Sequence, residues 1–244
     1  MRNYEQEYKE RVAYIREYVA KTGVKGIVYG NSGGKDCTLV GILCKAACDN
    51  TVGVIMPCGS SRNYGSDRDD ALAVAEKYGI ETRTVDLTAV RDAENEALKG
   101  VAELNQAPNS NIAPRLRMTT LYAIAMAENR LVAGTGNRSE IYMGYFTKWG
   151  DGGSDFDPIA DLTATEIFEF MKWLDVPMAV QTKAPSAGLF EGQTDEQEMG
   201  VTYAAIDRYI HGGEVSPEEE AIIRRYHARS EHKRVGRVDY PNKL

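Results

Sequence analysis

The chain has 244 residues, of which 43% are hydrophobic and 27% charged, and 29 basic against 36 acidic residues give it a formal charge of −7. That length is read as one domain over 1–244, large enough to bury a core without disulfide or metal staples. The acidic balance argues against a general nucleic-acid surface, and no apolar run or signal peptide points to a membrane or export, whereas anionic small substrates remain open because a few placed cations set the local field.

Residues 4–21 carry Tyr8, Val12, Ile15 and Val19 at helical spacing, an amphipathic helix suited to covering a sheet. Ile27-Val28-Tyr29 reads as a buried strand and residues 38–43 as the start of a helix. Residues 51–56 read as a second strand ended by Pro57, 67–78 as a helix and 81–87 as a third strand. A helical pattern runs over 90–104, residues 106–110 are turn-rich, and another helix follows. Leu131-Val132-Ala133 is the fourth strand, and 165–174, 202–210 and 217–229 read as helices. Strand and helix alternating in units of about thirty residues predict an α/β fold, a doubly wound, Rossmann-like parallel sheet with helices on both faces. Ligands then gather at the carboxyl ends of the strands. Cys37, Cys44, Cys48 and Cys58 contain no Cys-x-x-Cys and read as buried free thiols of a cytoplasmic protein.

Between the first strand and its helix lies Gly30-Asn31-Ser32-Gly33-Gly34-Lys35-Asp36-Cys37. Its glycines let backbone N–H groups converge at a helix N-terminus, which suits an anion. It is no Walker A loop, because Tyr29 stands where the first Gly should be and Asp36 where the hydroxyl should be. The dinucleotide spacing fails as well. A carboxylate inside a phosphate cradle repels its ligand unless a divalent cation lies between them, so Asp36 predicts Mg²⁺. At the end of the fourth strand, Gly134-Thr135-Gly136-Asn137-Arg138-Ser139-Glu140 and 144–155 form a long Gly-rich stretch. There Thr135 offers a hydroxyl to ribose or phosphate, Glu140 a second carboxylate for metal, and Lys148 a cation.

Ser32-Gly33-Gly34-Lys35-Asp36-Cys37 resembles the Ser-Gly-Gly-x-Asp-Ser loop of the N-type ATP pyrophosphatases, whose fold is adenine nucleotide α-hydrolase-like. Together with 134–159, 184–203 and Glu231-His232-Lys233-Arg234, it makes nearly the whole chain similar to the ammonia-dependent NAD synthetases. The resemblance implies a ligase that adenylates the nicotinate carboxylate of deamido-NAD with ATP as co-substrate, releases pyrophosphate, and amidates the acyl adenylate with ammonia. It implies ATP contacts from the loop 30–37, Thr135 and Ser186, and Mg²⁺ ligands in Asp36 and Glu140. Arg115, Lys148, Asp155, His232 and Lys233 are implied as deamido-NAD contacts, with Asp36, Lys148 and Asp155 at the chemistry. Asp155 is the candidate acceptor of the ammonium proton; the alternative is that it only fixes its loop. A homodimer with the dinucleotide site at its interface is implied, and no room is read for a glutaminase domain, so ammonia comes free or from a separate partner.

Five positions at four places depart from the family pattern: Cys37 for Ser, Ala113-Pro114 for Lys-Ala, Ala164 for a phosphate-contacting Lys, and Gly188 for Asp. Ala164 predicts weaker ATP binding than with the lysine, tightened by Ala164→Lys; Cys37 predicts a modestly weaker grip on pyrophosphate, and Ala113-Pro114 a different backbone into Arg115. Residues 184–200 read as a flexible lid or as a plain surface loop. Two other readings share the nucleotide loop. Another N-type ATP pyrophosphatase could adenylate a different acid, though a tRNA-modifying one calls for a basic surface or paired cysteines. A non-catalytic nucleotide sensor would bind ATP without releasing pyrophosphate.

Overall fold

The computed structural model describes residues 2–59, 65–183 and 194–235. Four parallel strands, β1 (Gly26–Gly30), β2 (Thr51–Ile55), β3 (Glu81–Thr84) and β4 (Arg130–Ala133), form a sheet in the order β3-β2-β1-β4. Ile27 pairs with Thr51 on one side and Leu131 on the other, so β1 is central. The period of two sorts the strand side chains to opposite faces. Ile27, Tyr29, Leu131 and Ala133 point into one core and Val28, Val52, Val54 and Val132 into the other.

The first face is covered by α1 (Tyr4–Thr22), through Val12 and Ile15, and by α2 (Lys35–Ala47), through Leu39, Val40 and Leu43. Helix α3 (Ser66–Tyr78) adds Val74 and Ala75, and Phe170 and Met171 come from a later helix. The second face is covered by a long helix, Ile112–Glu128, through Ala113, Leu121 and Ala125. Both faces of the sheet are therefore buried, which the near-continuous apolar strands require. β3 is a half-exposed edge whose Glu81 and Arg83 pair at 2.8 Å, a charged edge that discourages further pairing.

Several boundaries differ from the sequence reading. The third strand stops at Thr84, and Asp86 accepts a hydrogen bond from Thr88 N at 2.9 Å, opening α4 (Thr88–Ala97) earlier than the pattern suggested. That helix ends before Gly100, whose φ of +75° breaks the right-handed path. The turn-rich Gln106–Ser110 is itself a short helix, α5, ahead of the long helix, α6 (Ile112–Glu128). Beyond the sheet follow α7 (Arg138–Met143), α8 (Ala164–Trp173), α9 (Met178–Gln181), α10 (Asp195–Met199), α11 (Tyr203–Ile210), α12 (Pro217–Arg229) and α13 (Glu231–Arg234). A third cluster, with Met143, Met199, Tyr203, Ile206 and Ile223, packs α7, α10, α11 and α12 together. Among the described residues no helix is long and apolar enough to cross a membrane.

Candidate active site

The strand order reverses between β1 and β4, so the loops leaving their carboxyl ends diverge and open a crevice. Both Gly-rich stretches leave the sheet there. A cavity of about 1120 Å³ runs from Gly30, Ser32, Gly34 and Lys35 past Thr135 and Glu140 to His232 and Lys233. It is larger than most small-ligand sites and long enough for more than one substrate.

The first loop is shaped by its own atoms. Asn31 is buried, with its N–H donating to Val54 O at 2.8 Å and its Oδ1 accepting from Gly33 N at 3.3 Å. Gly33 has φ +73°, and a Cβ there would lie 2.1 Å from Asp67 O, so only glycine fits. Gly34 caps α2, which places Lys35, Asp36 and Cys37 in the helix's first turn, where the positive end of the dipole favours negative charge. The Cys37 thiol donates to Gly34 O at 3.2 Å and lies 3.3 Å from Ser32 Oγ. Burial raises its pKa, so it stays a thiol.

Opposite, α7 begins with a capping box in which Asn137 Oδ1 accepts from Glu140 N and Glu140 accepts from Asn137 N. Asn137 Nδ2 donates to Asp36 Oδ1 at 3.1 Å, bridging the two loops. Lys35 Nζ lies 2.6 Å from Asp36 Oδ2 and 3.9 Å from Glu140 Oε1. Burial, then repulsion from Asp36, raises the Glu140 pKa well above the usual carboxylate range. Asp36 and Glu140 are thus two converging, poorly solvated oxygen donors, a set that fits a hard divalent cation. Among the described residues no group of three or more His, Cys, Asp or Glu side chains is arranged to hold a metal, so phosphate or water oxygens would have to complete the shell.

The remaining candidates fall into two groups. Lys148, His232 and Lys233 are brought together where α13 docks on 144–148: Lys148 Nζ donates to His232 O, and Lys233 Nζ donates to Gly144 O and Phe146 O at 2.8 and 2.6 Å. Arg115 is exposed on α6 near enough to help depress the Lys233 pKa, after burial. Asp155 lies apart from the cavity lining, and its carboxylate accepts from Val132 N at 2.7 Å and from Tyr122 Oη at 3.1 Å. Its geometry is therefore that of a loop anchor tying 155 to β4 and α6. Ser186, Gly188 and most of the 184–200 stretch lie outside the described residues.

Three acids and a lysine were not foreseen. Asp157 accepts from Gly136 N at 2.9 Å and Ile159 N at 3.2 Å; burial, aided by the Asp36 charge, raises its pKa to about 7 against those bonds. Asp195, buried, accepts from Tyr203 Oη at 3.0 Å, and Lys183 bridges Asp67 and Asp70 at 2.7 Å each. Asp207 accepts from Ser139 Oγ and, at 2.8 and 2.6 Å, from Thr165 N and Oγ1, locking α7 to α8 and α11. Asp157 in Asp-Pro-Ile had a signal, since a carboxylate before proline marks a turn facing backbone N–H groups; Asp207 is an ordinary helix residue in sequence, and Lys183 and Asp195 lie outside the stretches read as helix.

The NH(3)-dependent NAD(+) synthetase of Carboxydothermus hydrogenoformans is 44% identical over 235 residues, covering 95% of this chain and 96% of its own length. Among solved structures, the NMN synthetase of Francisella tularensis superposes with a TM-score of 0.93 at 36% identity over the whole of both chains. The NH3-dependent NAD synthetase of Campylobacter jejuni gives 0.78 at 25% identity, again over the whole of both chains. The NAD synthase family model matches residues 7–239, and with the nucleotide loop, the facing carboxylates and the strand order all in place, the chain belongs to the NAD synthase family.

Proposed function

We propose that this chain amidates the nicotinate carboxylate of deamido-NAD with ammonia, consuming ATP and releasing AMP and pyrophosphate. What carries the reading is one continuous cavity lined by the loop at Ser32–Lys35, by the carboxylates Asp36 and Glu140, and by the basic His232 and Lys233, with Lys148 beside the lining and bound to His232 O. Both substrates are polyanions, and bringing them together is the main electrostatic obstacle to the first step.

The N–H groups of the loop 32–35, at the mouth of α2, would receive the β- and γ-phosphates, with Thr135 contacting the nucleotide beside them. Asp36 and Glu140 would hold Mg²⁺, which when bound supplies neutralisation of phosphate charge. The nicotinate carboxylate oxygen attacks the α-phosphorus and the bond to the β-phosphate bridging oxygen breaks, so pyrophosphate leaves. Ammonia then attacks the acyl carbon, loses a proton, and expels AMP. Lys148, Lys233, His232 and Arg115 are assigned to the dinucleotide, at the interface of a cytoplasmic homodimer. Asp155 is assigned a positioning role, because both of its oxygens already accept hydrogen bonds within the chain. Asp155→Asn should keep the ammonium dependence of kcat and raise the KM of the acid substrate; a lost ammonium dependence restores it as the proton acceptor.

A second reading has a specific observation behind it. The 0.93 superposition over full length is with a protein described as an NMN synthetase, so nicotinate mononucleotide is the competing acid substrate. The deciding experiment measures AMP and pyrophosphate formation from ATP and Mg²⁺ with deamido-NAD or nicotinate mononucleotide. Each is run with ammonium, with glutamine and with neither. A kcat/KM at least tenfold higher for deamido-NAD, with ammonium but not glutamine, supports the proposal. The reverse preference selects the mononucleotide, and no adenylation of either acid sinks both.

A further inference from the structure

Lys35 has a feature that the loop does not need for its shape. Its side chain runs inward from the first turn of α2, 5% exposed, and ends over the rings of Tyr203 and Phe168, 5.5 and 5.9 Å from their centroids. Those rings belong to α11 and α8, so the ammonium is seated by helices far away in the chain. There it lies between Asp36 and Glu140, the two carboxylates assigned to the cation. At 2.6 Å from Asp36 and 3.9 Å from Glu140, the buried Lys35 ammonium is paired with both acids. Asp195 adds a further negative charge nearby. Without Lys35 these acids would share one buried site with no cation beside them, which is costly unless a proton or another cation takes its place.

We infer that Lys35 is a resident counter-ion that occupies the place between Asp36 and Glu140 in the nucleotide-free enzyme, so that these carboxylates accept a divalent cation only together with nucleotide phosphates. The inference rests on the reading of Asp36 and Glu140 as cation ligands. Two carboxylates whose shared space is already taken by an ammonium, with half of their charge offset, offer too few free oxygens to a strongly hydrated ion, whereas nucleotide phosphates bring both the missing oxygen donors and an alternative partner for the lysine. Lys35 thereby couples metal and nucleotide binding: its ammonium turns from carboxylate to phosphate as the pair is loaded. Ala164 and Phe168 lie one turn apart on the same face of α8, so a lysine at 164 could deliver its ammonium to the same place. On this assignment Ala164→Lys alone leaves the ATP KM within twofold of wild type, in place of the tightening read from the sequence.

The test is Mn²⁺ binding followed by electron paramagnetic resonance, with and without α,β-methylene-ATP, which cannot release pyrophosphate. Wild type should bind Mn²⁺ at least tenfold more tightly with the analogue than without it. Lys35→Met should bind Mn²⁺ without nucleotide at least tenfold more tightly than wild type, and gain less from the analogue. Lys35→Met/Ala164→Lys should return nucleotide-free Mn²⁺ affinity to the wild-type level, which also serves if the single variant folds poorly. Equal Mn²⁺ affinity of wild type and Lys35→Met, or no return in the double variant, overturns the inference. Full nucleotide-dependent Mn²⁺ binding by Asp36→Asn/Glu140→Gln would instead overturn the reading of those two acids as ligands, a result that the lysine variants cannot mimic.

Discussion

At Cys37 a thiol stands in the first turn of α2, hydrogen-bonded inward to Gly34 O at 3.2 Å. A thiol is a weaker donor than a hydroxyl and sits farther from its partners. Cys37→Ser should lower the ATP KM about two- to fivefold, on the order of 0.5–1 kcal/mol for one improved hydrogen bond. Steady-state kinetics with saturating acid substrate check this, and an unchanged KM would show that residue 37 serves the loop alone. Gly33 was legible as a loop glycine, but that its Cβ would meet Asp67 O is a fact of α3's position, which no local pattern carries. Asp155 marks the opposite limit. Its residue type and motif suggested proton chemistry, while its partners Val132 N and Tyr122 Oη are known only once β4 and α6 lie side by side.

At the scale of elements, α2 approaches the sheet closely because two glycines make room for Tyr29. A Cβ on Gly41 would lie 2.3 Å from Tyr29 Oη and one on Gly53 3.0 Å away. The Tyr29 hydroxyl itself is buried without a partner among the described residues. Gly41→Ala should therefore destabilise the fold by about 2–3 kcal/mol through overpacking. Tyr29→Phe, which removes an unsatisfied hydroxyl, should be neutral or stabilising by about 1 kcal/mol. Denaturant melts of the two variants and their combination check both, with Tyr29→Phe expected to relieve part of the Gly41→Ala penalty. Asp207 works between elements. It holds Ser139, whose Oγ accepts from Ala164 N at 3.0 Å, and so sets the angle of α7 on which Glu140 sits. Asp207→Ala should cost about 2–4 kcal/mol, because the donors around it are buried, and should weaken nucleotide-dependent Mn²⁺ binding. Loss of stability with unchanged Mn²⁺ binding would confine Asp207 to structure.

For the whole molecule, two sets of acids act in opposite directions on pH dependence. At Asp161 and Glu166 burial works against ionisation, but Arg11 and Arg2 outweigh it and hold both pKa values below the usual range. Their contribution is fully present above the unfolded values near 4 and is lost as pH falls through the folded values. Asp157 is the reverse case: its folded pKa, about 7, exceeds the unfolded value of 3.8, so stability is lost as pH rises between the two. Nucleotide-free protein should have its highest Tm near pH 4–5 and lose on the order of 3 kcal/mol by pH 8. Asp157→Asn should flatten that alkaline side, as measured by Tm against pH; an undiminished slope would place the effect elsewhere.

The sequence by itself determined the parallel α/β architecture, the Gly-rich loop at the end of β1, and the placing of Thr135 in a second loop at the end of β4, whereas Glu140, read as part of that loop, sits on α7. Each is written within some ten to thirty residues, in the period of two for buried strands, the period of 3.6 for helices, and glycines where the backbone must turn. Its misses were short helices, such as Gln106–Ser110 and Arg138–Met143, and boundaries, as at Thr84 and Ala97, where a cap or one glycine rather than hydrophobic periodicity ends an element. Tertiary structure alone decided that Lys35 turns inward to meet Phe168 and Tyr203, that Asp207 locks Ser139, and that Lys233 closes on Gly144 and Phe146. Those contacts join residues 68 to 168 positions apart, and which of a lysine's or aspartate's rotamers is occupied depends on the packed neighbours that desolvate it.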